Sequence, residues 1–175
     1  MKNILILAPH PDDESVGLSI FIKRKQAEGC KIVIFFLSNG VISKNEMFFW
    51  EKNKYEKFLH KRLNEMENSL KFFKIKDFFL QNISTRNLRM NIMKTFYKIQ
   101  SIVKNKTIDS IFVPAYEGGH QDHDVANFIA SQFKKKLNVF EYSEYHNYGN
   151  KVHSNTFIKE IGNETVLKFN QNEVL

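Results

Sequence analysis

The sequence predicts an α/β fold, a doubly wound and mostly parallel sheet of strand order 3-2-1-4-5 with helices on both faces. Short apolar runs of the length of a buried strand alternate with helical stretches of ten or more residues. Parallel strands joined by helices require right-handed crossovers, which place helices on both faces of the sheet.

The first three elements follow from the apolar run near the start of the chain. Residues 3–8 form a compact apolar strand that ends at Pro9 and Pro11. The next stretch opens with acidic residues at 12–14 and continues with helical spacing to 28, and Gly29 is a natural stop. Residues 31–37 are then a second buried strand, closed by a Ser-Asn-Gly turn.

The later elements repeat this alternation. Residues 51–73 carry apolar side chains on one helical stripe, and residues 90–104 show the same pattern. The remaining predicted elements are strands at 77–81, 110–113 and 139–142 and a helix at 125–136. The alternation at 156–161 and 165–169 predicts a hairpin around Gly162 and Asn163.

Length and composition predict one domain over residues 1–175, since 175 residues with 42% hydrophobic and 26% charged side chains suit a single core. The apolar runs are far shorter than the roughly 20 residues that span a bilayer, and residues 1–8 lack a basic leader, so we expect no transmembrane segment and a cytoplasmic protein. The net charge of +7 fits an anionic substrate, a membrane surface or nucleic acid, but most lysines are scattered among glutamates on helical stretches and indicate a solvated face. Nucleic acid is disfavoured, because the sequence has no RNP-like or glycine-rich phosphate motif.

Two polar motifs each follow a predicted strand: residues 10–14 (His-Pro-Asp-Asp-Glu) and residues 120–123 (His-Gln-Asp-His). Strands 1 and 4 are neighbours where the winding reverses, so the motifs should meet at the carboxyl ends of the strands. Bringing so many carboxylate and imidazole groups into one cleft costs free energy, and a bound cation would offset that cost. Imidazole and carboxylate ligands favour zinc or another divalent first-row ion. Two histidines and one aspartate fill three ligand positions and leave an aspartate and a histidine for proton chemistry.

These paired motifs, with Gly40 and with Arg62 and Glu65 on the long helix, resemble the PIG-L / LmbE-like N-acetylglucosaminyl deacetylase family over residues 1–142. The resemblance implies a Rossmann-like fold and zinc-dependent removal of an acetyl group from an N-acetylated amino sugar or its conjugate. It further implies the following roles: His10, Asp13 and His123 as metal ligands, Asp12 as general base, His120 as oxyanion stabiliser or proton donor to the leaving amine, Asp122 as the partner that orients His120, and Arg62 as a substrate-binding residue.

The expected partner is a small amino-sugar substrate that is free, phosphorylated, nucleotide-linked or lipid-linked, and self-association is left open. Two alternatives remain: a metal-dependent hydrolase of a non-sugar N-acyl compound or phosphoester, and a non-catalytic α/β module that binds anions. Met47, Phe48, Phe49 and Trp50 are predicted to pack on the long helix, which is favoured over an aromatic wall for a sugar face or a lipid chain. His146 and His153 follow the fifth strand and are minor candidates for the border of the cleft.

Overall fold

Five parallel strands form the central sheet of the computed structural model, which describes residues 1–158, 162–168 and 170. The strands are β1 (Asn3–Ala8), β2 (Lys31–Phe36), β3 (Phe78–Leu80), β4 (Ser110–Pro114) and β5 (Asn138–Tyr142), in the order β3-β2-β1-β4-β5. In the middle, Ile4 of β1 pairs with Ile32 on one side and with Ser110 on the other. The predicted fold class and strand order are confirmed.

Four helices cover the two faces of this sheet. They are α1 (Asp13–Ala27), α2 (Tyr55–Phe72), α3 (Ile92–Asn105) and α4 (Gln121–Ser131), and single 3₁₀ turns at Lys52–Lys54 and Leu88–Asn91 lead into α2 and α3. Ile4 and Ile6 pack toward α1 and α2, whereas Leu5 and Leu7 pack toward α3 and α4. Successive strand side chains point to opposite faces, so a sheet covered on both faces requires a continuously apolar β1. None of the described helices is long and apolar enough to cross a bilayer.

The fourth helix begins four residues earlier than predicted, at Gln121 instead of 125, and ends at Ser131 instead of 136. His120 is its N-cap, and the His120 side chain accepts a hydrogen bond from the backbone N–H of Asp122. Apolar periodicity could not reveal a polar first turn, which is stabilised by this cap. The second motif therefore lies in the cap and first turn of α4.

The hairpin near the C-terminus lies earlier than predicted. Its strands are β6 (Tyr145–Tyr148) and β7 (Lys151–Ser154), joined by Gly149 and Asn150, both with φ near +60°. Positive φ at both central residues matches the twist of paired strands, so this dipeptide fixes the turn. In the predicted hairpin, residues 156–158 and 165–168 form no strand, and residues 159–161 and 169 lie outside the described part of the chain.

The prediction that residues 47–50 pack on the long helix is wrong for the three aromatic residues. Phe48, Phe49 and Trp50 are exposed, and both phenylalanine rings contact Trp50, whereas the preceding Met47 is buried. The inner face of α2 is already occupied by Leu63, Met66 and Leu70 against the sheet, and a 3₁₀ turn separates the aromatic residues from the helix.

Candidate active site

The two predicted motifs meet at the carboxyl edge of the sheet, beyond the neighbouring strands β1 and β4. The ring centroids of His10 and His120 are 4.5 Å apart, and that of His123 lies 5.3 Å from each of them. The parallel arrangement brings together the ends of strands that are about 100 residues apart in the chain. Three imidazoles thus share one cleft.

Asp13 lies between two of these imidazoles. Its Oδ2 is 3.3 Å from Nδ1 of His10, and its Oδ1 is 3.4 Å from Nε2 of His123. All three residues are buried. Burial opposes ionisation of Asp13, but its contacts with His10 and His123 outweigh burial and hold the pKa of Asp13 well below its usual value. Burial likewise opposes the charge on His10, yet Asp122 and Asp13 raise the pKa of His10 to about 9.

The donor set suits a divalent first-row ion. Ligand atoms lie within 4.8 Å of one another in three groups: His10, His120 and His123; His10, Asp12 and Asp13; and Asp13, His123 and Glu144. Each pair among His10, Asp13 and His123 shares one of these groups, although the three predicted ligands do not form a group by themselves. Nε2 of His123 is buried and makes no hydrogen bond to the described residues. A mixed imidazole and carboxylate set favours zinc and its neighbours in the first row.

The Asp122 carboxylate does not contact His120, contrary to the role predicted for it. Its Oδ2 lies 3.2 Å from Nε2 of His10 and accepts hydrogen bonds from Oγ1 of Thr85 (2.8 Å) and the N–H of Arg86 (2.7 Å). The first turn of α4 directs this fully buried side chain toward the loop after β3, where the N–H of Arg86 needs an acceptor. Burial opposes ionisation of Asp122, but these contacts outweigh burial and lower its pKa. It is the backbone N–H of Asp122 that hydrogen-bonds the His120 ring, at Nδ1.

His120 carries its proton on the nitrogen that faces away from the cap. Its Nδ1 accepts the N–H of Asp122 at 3.1 Å, so the neutral ring holds its hydrogen on Nε2. Burial, followed by the charges of His10 and His123, lowers the pKa of His120. The geometry favours a neutral imidazole with an Nε2–H donor.

Arg62 and Asp12 form an ion pair at the rim of the cleft. Nη1 of Arg62 donates to Oδ2 of Asp12 at 2.8 Å and to Oε2 of Glu65 at 3.1 Å. Burial opposes the charge on Arg62, but the nearby Asp12 carboxylate outweighs burial and raises the pKa of Arg62. Gly40, with φ near +73°, lies against both sides of this pair, because a Cβ there would be 2.7 Å from Cδ of Pro11 and 3.3 Å from Nε of Arg62. An open groove beside the pair is lined by Pro11, Asp12, Ser15, Arg62, Glu65, Asn68 and Ser69.

Sequence analysis missed Glu144, which is only 4% exposed and directly follows β5. Its Oε2 lies 3.8 Å from Nδ1 of His123, and neither oxygen accepts a hydrogen bond from the described residues. Burial, followed by the charges of Asp13 and Asp12, raises the pKa of Glu144 to about 9. Because β5 lies beside β4, the carboxyl-edge argument used for the two motifs could have found this residue.

Two other residues near the site differ in how far the sequence indicated them. Thr85 follows β3 in a loop with no motif, so nothing in the sequence pointed to it, whereas His146 was a minor candidate for the border of the cleft. His146 is buried, with Nδ1 3.6 Å from Oε1 of Glu117, next to the pocket that Glu117 and Tyr145 line together with His120 and His123. His153 stacks on His146 at the outer side of the hairpin.

Solved structures of other proteins share this fold. N,N'-diacetylchitobiose deacetylase from Pyrococcus horikoshii is 20% identical with a TM-score of 0.62, and the match covers 81% of this chain and 60% of that one. The zinc-inhibited form of teicoplanin deacetylase Orf2 is 12% identical (TM-score 0.62, 83% and 67% covered). GalB, the 4-carboxy-2-hydroxymuconate hydratase of Pseudomonas putida KT2440, is 13% identical (TM-score 0.57, 83% and 65% covered). At these identities the likeness shows the fold, and this fold also supports a hydratase.

The match spans less than two thirds of the length of the chitobiose deacetylase. No curated protein matches the sequence at a significant level. The family model described as GlcNAc-PI de-N-acetylase matches residues 5–134, a range that contains both polar motifs and the first four strands of the sheet. The chain therefore belongs to the PIG-L (GlcNAc-PI de-N-acetylase) family.

Proposed function

We propose that this protein is a metal-dependent hydrolase that removes the acetyl group from an N-acetylated amino sugar or its conjugate. The observation that carries the proposal is the position of buried Asp13 between His10 and His123, with Asp12 and His120 beside this cluster. Membership of a family described as a de-N-acetylase supports it, as do fold relatives named as deacetylases of chitobiose and teicoplanin.

We assign His10, Asp13 and His123 as the ligands of a divalent first-row ion, with zinc as the first choice. Such an ion, when bound, polarises an acyl oxygen and lowers the pKa of a water toward neutrality. His120, Asp12 and Glu144 each belong to one of the alternative ligand groups, so metal content must be measured in variants. One fold relative is described in a zinc-inhibited form, so zinc has to be compared with other divalent ions.

The remaining residues handle the protons and the developing charge. The carboxylate of Asp12, held in place by Arg62, takes a proton from the attacking water as its oxygen bonds to the acyl carbon. Nε2–H of His120 donates a hydrogen bond to the oxyanion that forms at the acyl oxygen. Asp12 then returns its proton to the nitrogen as the C–N bond breaks, since a neutral His120 that gave up its proton would become an imidazolate.

The groove beside Arg62 is the proposed sugar subsite. Its lining is polar and includes Ser15, Asn68 and Ser69, whose side chains can hydrogen-bond sugar hydroxyls. The forked donors of Arg62 suit a hydroxyl pair or the phosphate of a phosphorylated or nucleotide-linked sugar. Free, phosphorylated and conjugated amino sugars are therefore all candidates for the substrate screen.

The test separates the metal from the base. We expect wild type to bind about one ion per chain, Asp13→Asn to bind none, and Asp12→Asn to keep the ion while hydrolysis falls roughly 10²- to 10⁴-fold. Metal content is measured by elemental analysis after loading with zinc, cobalt or manganese separately. Acetate release is measured from N-acetylglucosamine and N,N'-diacetylchitobiose. Asp77→Asn, an exposed aspartate paired with Lys106, is the matched control and should change neither readout.

Three outcomes would contradict the proposal or its assignments. Equal metal loss in the Asp12 and Asp13 variants would refute the division between base and ligand. A wild-type protein that binds none of the three ions would refute the assignment as a metal-dependent hydrolase. Anion binding that weakens with salt and survives chelation would support the non-catalytic module instead.

A further inference from the structure

Three neighbouring aromatic residues, Phe48, Phe49 and Trp50, form an exposed aromatic cluster on the described surface of the protein. These side chains are 65%, 80% and 55% exposed. The Phe48 and Trp50 rings stack with centroids 4.9 Å apart, and Phe49 meets Trp50 edge-on at 4.7 Å. Buried Met47 ties the cluster to the body of the protein. A contiguous exposed apolar patch of this kind marks a surface that binds something.

The chain segment that carries the aromatic cluster begins at the same edge of the sheet as the candidate active site. Beyond β2 and β3, residues 39–42 run beside residues 82–85: the N–H of Asn39 donates to the carbonyl of Ile83 at 2.8 Å, and Ile42 forms a bridge with Thr85. From this point one chain segment leads through the aromatic cluster to α2, and the other leads through Arg86 to α3. Both segments therefore leave from one place on the carboxyl edge.

The second of these segments is strongly basic. The sequence from Phe78 to Ile108 contains no Asp or Glu and carries six cationic residues: Arg86, Arg89, Lys94, Lys98, Lys104 and Lys106. Met90, Met93 and Tyr97 are 77%, 60% and 58% exposed and, at spacings of three and four, form one stripe at the start of α3. Arg89 and Lys94 flank this stripe. The segment around the aromatic cluster is close to neutral, so apolar and cationic surface come from two neighbouring segments.

We propose that this edge docks on an anionic lipid surface. The aromatic cluster and the methionine stripe would enter the boundary between headgroups and acyl chains, where aromatic rings are favoured. Arg86, Arg89 and Lys94 would face the anionic headgroups. Nucleic acid would pair with the cations but would leave Met90 and Met93 exposed, so a lipid surface fits the whole patch better. The proposal is independent of the hydrolase assignment, because docking requires no turnover.

Trp50 is the single tryptophan of the chain, so its fluorescence reports on the aromatic cluster alone. With full-length protein and vesicles of phosphatidylcholine plus phosphatidylglycerol, we expect Trp50 emission to move to shorter wavelength and the protein to sediment with the vesicles. Raising the salt concentration should weaken binding, because it screens the headgroup charge. Pure phosphatidylcholine vesicles should bind far less. Absence of both signals with the anionic vesicles would overturn the proposal.

Two matched double variants test the charge. Arg89→Glu with Lys94→Glu should weaken vesicle partition by about tenfold or more. Lys135→Glu with Lys136→Glu changes the net charge equally on exposed residues beyond the end of α4 and should leave partition within about twofold of wild type. An equal loss in both pairs would show attraction by net charge alone and would overturn the docking surface.

A third variant tests the apolar part while keeping the probe. Phe48→Ser with Phe49→Ser retains Trp50 and should reduce both the emission shift and co-sedimentation, with the melting temperature unchanged because both residues are exposed. Unaltered binding would contradict insertion of the aromatic cluster. Single-stranded RNA that displaces wild type from vesicles and shifts Trp50 emission by itself would identify a nucleic-acid surface instead.

Discussion

Glu144 has the position of a residue that holds a metal ligand in place. It approaches His123 from Nδ1, whereas Asp13 approaches the same ring from Nε2. A metal-binding histidine usually presents its second nitrogen to a carboxylate or carbonyl, which fixes the orientation of the ring. Glu144 would fill this role when His123 binds an ion.

We therefore expect Glu144→Gln to lower the affinity for the metal by roughly 10- to 100-fold. Affinity is measured by competition with a chromophoric chelator. Glu141→Gln, an exposed residue on β5 paired with Lys134, is the control and should bind like wild type. Unchanged affinity in the Glu144 variant would show that the carboxylate does not position His123.

Gly17 in α1 makes room for the residues behind the site. A Cβ at this position would lie 2.6 Å from Cε2 of Tyr142 and 3.2 Å from Cγ of Glu144. The Tyr142 ring is buried and its hydroxyl donates to the carbonyl of Leu7, so the ring cannot move aside easily. Gly17→Ala should lower the free energy of unfolding by roughly 1 to 2 kcal/mol, because overpacking exceeds the gain in helix propensity.

Urea unfolding measures this loss. Val16→Ala, on the exposed side of the same helix, is the control and should stay within about 0.5 kcal/mol of wild type. A Gly17→Ala protein that unfolds at higher urea concentration than wild type would mean that Tyr142 can shift at little cost.

At this scale the sequence could predict which residues collect at the site but not every contact between them. His10, Asp13 and His123 follow from the ends of two neighbouring strands. The pairing of Asp122 with His10 depends on where α4 begins, because a helical side chain leans back over the preceding turn. The family resemblance, rather than spacing, implied that Asp122 orients His120, and it could not show that the Asp122 carboxylate lies against His10.

At the scale of elements, Asp109 fastens the start of β1 to the start of β4. Its Oδ2 accepts the N–H groups of Lys2 (2.6 Å) and Asn3 (3.0 Å). Burial opposes the charge, but the hydrogen bonds from Ser110, Asn3 and Lys2 lower the pKa of Asp109 below 3.8. A carboxyl group with a lowered pKa stabilises the fold above its unfolded pKa, and this stabilisation disappears as the pH falls through the folded pKa.

Asp109→Asn should therefore lower the free energy of unfolding at pH 7 by about 1 kcal/mol. The difference from wild type should shrink as the pH falls below 3.8, the usual value for this carboxyl. Urea unfolding across this range is the measurement, with the exposed Asp77→Asn as control. A difference that grows toward acid pH would contradict the assignment.

The predicted elements were confirmed where the apolar residues of the sequence pattern are the ones that pack in the core. An example is β1, whose apolar residues are buried on both faces of the sheet. The start of α4 and the position of the hairpin were predicted wrongly for a different reason. A cap by His120 and a turn at Gly149 and Asn150 are decided by backbone hydrogen bonds and dihedral angles, which apolar periodicity does not record.

At the scale of the whole molecule, the strand order could be predicted from topology, whereas the exposure of particular side chains and the distribution of surface charge could not. The strand order follows from alternating elements and right-handed crossovers, and it brings residues 10–13 and 120–123 to one edge. The exposure of Phe48 depends on whether α2 has room for another aromatic ring, which only the packed structure shows. The net charge of +7 for the whole chain likewise does not show that cationic residues are concentrated between β3 and β4.

Metal binding should stabilise the folded molecule as a whole, because the ligands come from the ends of β1 and β4 and are brought together only in the native state. At a free ion concentration of about 100 times Kd, a ligand specific to the native state adds about 2.7 kcal/mol. For a domain of this size we expect a chelator to lower the Tm by roughly 5 to 10 °C, measured by calorimetry. His10→Ala and His123→Ala should melt at the same temperature with and without chelator, whereas His60→Ala, exposed on α2, should keep the full shift. A wild-type Tm that is indifferent to both chelator and added ion would mean that this cluster of imidazoles and carboxylates is held together by its own ion pairs, and that metal-dependent hydrolysis is wrong for this chain.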